Sequence, residues 1–325
     1  MLKHLFDYNE NEEFDQVLQI KYSQLRQGKR GQSYLALRLG DASGEVRSNY
    51  WDASPLDAER LKAGTLAQVN GKLEDYQGHL QIKLFSIRPI KPTEAGDLAE
   101  FTAASPVTPQ EMEGEIQRFV KRIDNVVWQQ VVTFLLKKWH ERFYTYPAGK
   151  TNHHAIKGGL ALHTLTMLKD ARAIAGNYPQ VNRSLLYAGC ILHDLGKVLE
   201  LSGPTVTSYT SEGNLIGHLV LIDEQVMLAA QQLQLDLTSE DLLLLRHLVL
   251  SHHGQLEYGS PKQPAILEAE LLHRIDDLDA AVYAITKNLQ NTKPGQFTEP
   301  VNSQNGRRYY RPIKDLPLDQ SPKLG

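Results

Sequence analysis

Between about Glu13 and Pro92 the chain switches between apolar and polar residues in short runs. Phe14 to Tyr22 is a first mixed run, and Tyr34-Leu-Ala-Leu-Arg-Leu39 alternates with period two, the mark of a half-buried strand. Glu45 to Trp51, Gly64 to Leu73 and Leu80 to Ile90 continue the series. Glycine-centred turns separate the runs at Gln27–Gly31, Gly40–Gly44 and Tyr76–Gly78, and Leu56 to Leu61 has the spacing of one short helix. Five short strands with a small helical insertion predict a small closed barrel over residues 1–92.

From Gln110 the period becomes helical. Ile116, Phe119, Val120, Ile123, Val127, Val131, Phe134 and Leu135 form a core-facing stripe that predicts two helices as far as Arg142. The aromatic cluster Trp139, Phe143, Tyr144 and Tyr146 leads into Pro147 and reads as core. Further helices are expected around His163, over Leu185–Leu192, Leu219–Leu233 and Asp241–Ser251, and through Glu268–Ala280. Residues 93–110, with Pro106, Pro109, Gly96 and Ser105, read as a linker; 111–290 form an all-α bundle, and 291–325 a C-terminal tail. The fold class is therefore multidomain, an all-β barrel followed by a helical bundle.

Composition narrows the setting. A net charge of −3 provides no global polycation for nucleic acid, and Lys+Arg and Asp+Glu both count 13 between Met1 and Ala95. Strand binding by the barrel would have to be stacking-led and weak. Between Lys287 and Gly325 seven Lys+Arg face three Asp+Glu, and tyrosines interleave with arginines at Arg307–Arg311, so the tail is basic. The single cysteine, Cys190, excludes an intrachain disulfide framework and suits a reducing cytoplasm. The acidic early N-terminus is unlike a signal peptide and no apolar run reaches membrane-spanning length, so the expected location is cytoplasmic, with no membrane partner.

Nine of the 12 histidines fall between His153 and His273. The focal stretch is Cys190-Ile-Leu-His193-Asp194-Leu-Gly196-Lys197, a His-Asp pair after an apolar run. Two such side chains are costly there unless a divalent cation takes both. His163 lies on an apolar helix, His218 follows Gly217, His252 and His253 end a helix before Gly254, and Asp276 lies on the last helix. Long gaps between these groups exclude a zinc-finger knuckle and favour a bundle whose helices each turn one or two groups inward. Imidazole and carboxylate without thiolate suit Mn²⁺, Fe²⁺, Co²⁺, Ni²⁺ or Zn²⁺ in a catalytic site. Seven ligands exceed the needs of one ion; a two-metal site follows, with Asp194 as the bridge. For His153, His247 and His273, core or surface roles are favoured over ligation, with a hydrogen bond behind the metal site open to His273, three residues before Asp276.

Leu39-Gly-Asp41-Ala-Ser-Gly44-Glu-Val46, Trp51-Asp52 and Val69-Asn-Gly71 with Tyr76 resemble an OB-fold. That resemblance implies strand binding through aromatic stacking and basic side chains, with Tyr34, Arg38, Arg47, Tyr50, Trp51 and Tyr76 as candidates and barrel core or plain surface as the alternative for each. His163, His193-Asp194 and Asp276 resemble the four-residue core of the HD superfamily of metal-dependent phosphohydrolases, and His218 with His252-His253 resembles its two-metal members. Carried over, one metal takes His163, His193, Asp194 and Asp276, and the other takes Asp194, His218, His252 and His253. Asp276 rather than Asp277 matches the family pattern. The Gly-Tyr-Pro signature of cyclic di-GMP hydrolases is absent after Gly254.

A single OB-fold, a linker with helices and an HD domain carrying Asn152-His153-His154, Gly158-Gly159, His193-Asp194-Leu-Gly-Lys197 and Gly259-Ser-Pro-Lys262 resemble, over almost the whole chain, the YhaM family of Mn²⁺-dependent 3′→5′ exoribonucleases. Leu162 stands where an acidic residue is expected in many relatives, which puts a further carboxylate near His163 in doubt. The resemblance implies single-stranded RNA as substrate, with single-stranded DNA as an option. Lys197 would act on a phosphate oxygen beside Asp194, and His154 and Lys262 would touch the strand. A homo-oligomer would raise the effective concentration of a weakly binding barrel. The alternatives are a phosphohydrolase of small or cyclic nucleotides with a regulatory barrel, and a non-catalytic nucleic-acid-binding protein.

Overall fold

The computed structural model describes residues 3–28, 31–76, 79–91, 94, 101, 103–149, 154–204 and 207–314. The centres of the turns expected at Gln27–Gly31 and Tyr76–Gly78, much of the expected linker, Asn152, His153 and the final residues 315–325 lie outside them. Two compact units result.

The first unit is a closed five-stranded barrel: β1 (Glu13–Gln27), β2 (Ser33–Asp41), β3 (Gly44–Trp51), β4 (Leu66–Tyr76) and β5 (His79–Ile90), in the order β1-β2-β3-β5-β4. All neighbours run antiparallel except β3 and β5. Where those two pair in parallel over only two positions, the Ser48 hydroxyl donates to the Ile82 carbonyl at 2.8 Å. The period-two pattern becomes an inside and an outside: Leu35, Leu37 and Leu39 of β2 pack with Phe14, Leu18, Ile20, Val46, Val69, Leu73 and Ile82 in one core. The short helix α1 (Pro55–Arg60) separates β3 from β4. Ser54 caps it, accepting from the Asp57 amide while the Asp57 carboxylate accepts from Ser54, with proline at the first turn.

The second unit is helical: α2 (Pro109–Val120), α3 (Val126–Lys138), α4 (His140–Thr145), α5 (Gly159–Asn177), α6 (Arg183–Leu192), α7 (Lys197–Glu200), α8 (Ser211–Leu215), α9 (His218–Gln232), α10 (Glu240–Ser251) and α11 (Leu267–Gln290). Three helices stand before residue 146 where two were expected. Asn125 caps a new start by accepting from the Trp128 amide, and the chain bends again at Trp139. α6 is the centre of the bundle: every residue from Ser184 to Leu192 is buried. Around it pack Val131, Leu135, Leu165, Leu168, Leu245, Leu248 and Leu272 from α3, α5, α10 and α11. Polar ties register the outer helices, with Trp128 Nε1 donating to Asp241 O at 2.8 Å and Arg246 gripping Asp223 through two bonds of 2.7 and 2.8 Å.

After α11 the described residues continue to 314. Phe297 bridges Tyr310 and Val301 bridges Arg307. Residues 290–298 and 310–314 cluster with the barrel unit, and 299–309 with the helical unit.

Candidate dinuclear metal centre

α6 ends at His193, and a succession of tight turns through Asp194, Leu195 and Gly196 leads into α7. Both side chains of the His-Asp pair are thereby held inside the bundle, His193 fully buried and Asp194 nearly so. Gly196 makes the next contact possible. A Cβ there would lie 2.3 Å from the His218 carbonyl oxygen, so only glycine lets the start of α9 come down onto the turn. α5 contributes His163, α11 contributes Asp276, and the end of α10 contributes His252 and His253. Gly254, with φ +77°, stops that helix against the ring of His273.

The result is two groups of ligand atoms flanking one carboxylate. His163, His193 and Asp276 form one group and His218, His252 and His253 the other, each with its ligand atoms within 4.8 Å of one another. Asp194 Oδ2 faces the first group, 3.4 Å from His193 Nε2 and 3.8 Å from His163 Nε2. Asp194 Oδ1 faces the second, 3.4 Å from His218 Nε2 and 3.8 Å from His252 Nε2. All seven residues expected as ligands are brought together, with Asp276 Oδ1 3.2 Å from His163 Nε2.

The outer ring nitrogens explain why the inner ones are available. His193 Nδ1 bonds to Cys190 O at 2.9 Å, His252 Nδ1 to Val249 O at 2.8 Å and His253 Nδ1 to Tyr258 O at 2.8 Å. A carbonyl only accepts, so each Nδ1 carries a proton and each Nε2 is the nitrogen turned inward. The fit of a cation rests on atoms left over. Asp194 Oδ1, His218 Nε2 and His252 Nε2 are buried and have no hydrogen-bond partner among the described residues. Buried polar atoms in proteins are usually paired, and these three converge on one place with the donor chemistry of a divalent cation.

Electrostatics favour the ligand forms of Asp194, Asp276, His252 and His253, while His163 holds its proton until a cation displaces it. Burial opposes ionisation of Asp194, but Lys197 and His193 outweigh it and hold its carboxyl well below the usual range. Asp276 is held low in the same way, against burial, by His163 and His193. Burial and the neighbouring His253 push His252 well down, and burial and His218 lower His253, so both stay neutral. Burial would also lower His163, yet its bonds to Asp276 and Asp279 raise it to about 10.

Other expected site residues are placed as follows. Lys197 is buried and its Nζ donates to Asp194 Oδ2 at 2.6 Å, so the ammonium sits inside the centre as the aspartate's partner. His154, expected to touch the strand, is buried instead: Nε2 donates to Asp279 Oδ2 at 2.7 Å and the ring stacks on Tyr283 with centroids 4.2 Å apart. Lys262 is exposed. His273 donates from Nδ1 to the His252 carbonyl at 2.9 Å and so steadies a ligand from behind. In the barrel unit, Tyr34 and Trp51 are cross-strand partners with ring centroids 4.9 Å apart, Trp51 being 53% exposed. Arg38 pairs across with Arg47 on the same outer face, with Arg38 ion-paired to Glu45 at 3.2 Å. Tyr76, at the end of β4, is exposed.

Two carboxylates escaped the sequence reading. Glu200 Oε1 accepts from His218 Nδ1 at 3.0 Å, and Asp279 Oδ2 accepts from His163 Nδ1 at 2.6 Å. A signal existed for Asp279, which lies one helical turn beyond Asp276 on α11. Nothing local marks Glu200.

The sequence also matches known proteins. The HD domain family matches residues 160–281, which span every candidate ligand in both groups. Over 312 residues the chain is 43% identical to the 3′-5′ exoribonuclease YhaM of Bacillus subtilis (strain 168), covering 96% of this chain and 99% of that protein. It is 41% identical to the protein of the same name from Listeria innocua and 42% to that from Bacillus velezensis, with the same coverage. With identity of this order along nearly its whole length, the chain belongs to the YhaM family, an OB-like barrel joined to an HD domain.

Proposed function

We propose that this chain is a metal-dependent 3′-5′ exoribonuclease that hydrolyses the phosphodiester bonds of single-stranded RNA, with single-stranded DNA as a second substrate. The observation that carries the reading is Asp194, whose two oxygens face two separate groups of imidazoles. A carboxylate so placed suits a pair of divalent ions, Mn²⁺ foremost, and the ions when bound supply an activated water and charge stabilisation on the phosphate. His163, His193, Asp194 and Asp276 would hold one ion, and Asp194, His218, His252 and His253 the other.

The chain's own residues do the rest. Asp194 stays ionised because Lys197 balances its charge at 2.6 Å. His253 and Asp276 are only partly buried, unlike His163, His193 and His252, and form the edge of the centre that a phosphate could reach. No serine or cysteine nucleophile is required. Burial pushes the thiol of Cys190 well above its usual value, which suits core packing rather than attack. On the barrel, Tyr34 and Trp51 offer ring faces to bases and Arg38 and Arg47 offer charge to phosphates. Among the described residues no helix is long and apolar enough to cross a membrane.

The test is digestion of a 5′-labelled single-stranded RNA by the full chain with Mn²⁺. Progressive shortening from the 3′ end with mononucleotide release is expected. Intact RNA together with hydrolysis of a cyclic dinucleotide would sink the reading in favour of a small-nucleotide phosphohydrolase.

A further inference from the structure

Five imidazoles surround the centre, and their outer nitrogens are held in two ways. Three of them, on His193, His252 and His253, donate to backbone carbonyls. The other two, on His163 and His218, donate to buried carboxylates, and these two rings belong to different ligand groups. Glu200 Oε1 accepts from both His218 Nδ1 at 3.0 Å and the His218 backbone N–H at 3.1 Å, fixing the ring and the first residue of α9 together. Asp279 Oδ2 accepts from His163 Nδ1 at 2.6 Å and from His154 Nε2 at 2.7 Å. An ionised carboxylate in such a setting is expensive to desolvate, and each is compensated by imidazole bonds aimed at one ligand.

We propose that Glu200 and Asp279 are positioning residues, one for each metal position, that fix the tautomer and orientation of His218 and His163, and that His154 holds Asp279 in place. This rests on the two-metal reading above. A carboxylate behind a ligand imidazole keeps the proton on Nδ1 and makes Nε2 a stronger donor. His154, His163 and Asp279 are also close enough together to hold an ion themselves. An ion there, alongside one at Nε2, would require both nitrogens of His163 as lone-pair donors and hence an imidazolate. A hydrogen-bonded relay requires no such deprotonation, and the 2.6 and 2.7 Å contacts are those of charge-assisted hydrogen bonds.

The experiment is calorimetric titration of Mn²⁺ into the full-length, chelator-stripped protein, with the protonation and tautomer of each histidine ring read by long-range ¹H–¹⁵N NMR before metal is added. Wild type is expected to take up two equivalents. Asp279→Asn should weaken one of them by about 10–100-fold and Glu200→Gln the other, with the altered tautomer signals confined to His163 and His218 respectively. A purely structural role would leave those signals unmoved. His154→Ala gives a milder version should Asp279→Asn not fold. It is expected to weaken the Asp279-linked equivalent, while His154→Gln, which keeps a donor, restores it. Wild-type affinity at both positions in folded variants, or loss of the same equivalent in both, would overturn the proposal. Uptake of a single equivalent by wild type would instead overturn the two-metal reading beneath it.

Discussion

The barrel face and the His/Asp centre both place aromatic rings and charges where phosphates could meet them, yet they are built on opposite terms. On the barrel, Trp51 and Tyr76 stand more than half exposed, and Arg38 spends its charge on a neighbouring Glu45 at the surface. In the centre, His163, His193 and His252 are fully buried, and each Nδ1 is committed to a fixed acceptor. An exposed ring such as Trp51 is tolerant of partner, since every base has a stacking face. The centre cannot adjust, because its geometry is set before a substrate arrives. Under the proposed function, strand holding and bond breaking separate onto adaptable and preorganised surfaces, and mutations should divide the same way.

The largest expected effect is on the centre. Asp194→Ala removes the carboxylate shared by both ligand groups and should abolish uptake of both ions and lower turnover by about 10³-fold or more. RNA binding, measured by fluorescence anisotropy, should survive; retained turnover would show that the comparison has the chemistry in the wrong place.

Next comes the response of the centre to pH. His163 is raised from 6.5 to about 10, so the stability it contributes is fully present below about 6.5 and is lost as pH rises through about 10. The chelator-treated protein should therefore melt at progressively lower temperature over that window. Saturating Mn²⁺, which takes the place of the proton on Nε2, should flatten the dependence. A melting temperature flat with pH in the stripped protein would break this account of His163.

Smaller effects are expected on the barrel. Trp51→Ala should weaken strand binding by about 1–3 kcal/mol, the worth of one base stacked on an aromatic ring. It should raise KM for RNA while leaving Mn²⁺ affinity unchanged. Arg47→Ala should do least, reducing the slope of log affinity against log salt by about 0.7 if it contacts one phosphate. If either substitution altered metal uptake, the two surfaces would not be independent.

How much was legible beforehand differs between the regions for a physical reason. The alternation in Tyr34–Leu39 reports which side of a strand is buried, and it carried over directly to Leu35, Leu37 and Leu39 in the barrel core. Element boundaries moved where caps rather than periods decide them, as at Asn125 and Trp139. In the helical unit, the ligand types His163, His193, Asp194, His218, His252, His253 and Asp276 stood out as polar groups at the ends or on the apolar faces of helices. His154 did not: it entered as a strand contact, and packing places its side chain inside.

What the sequence determined by itself is therefore the pair of periods, two and 3.6, that make a barrel and a bundle, and the chemical kind of ligand held at the helix ends. Periodicity and capping act over a few residues and can be read along the chain. Only the tertiary structure decided which oxygen of Asp194 faces which group, that Lys197 is spent on that carboxylate, and that carboxylates stand behind two of the imidazoles. Glu200 reaches His218 across 18 residues, Asp279 reaches His163 across 116 and His154 across 125. Contacts of that span are set by how helices pack around α6, and no local pattern records them.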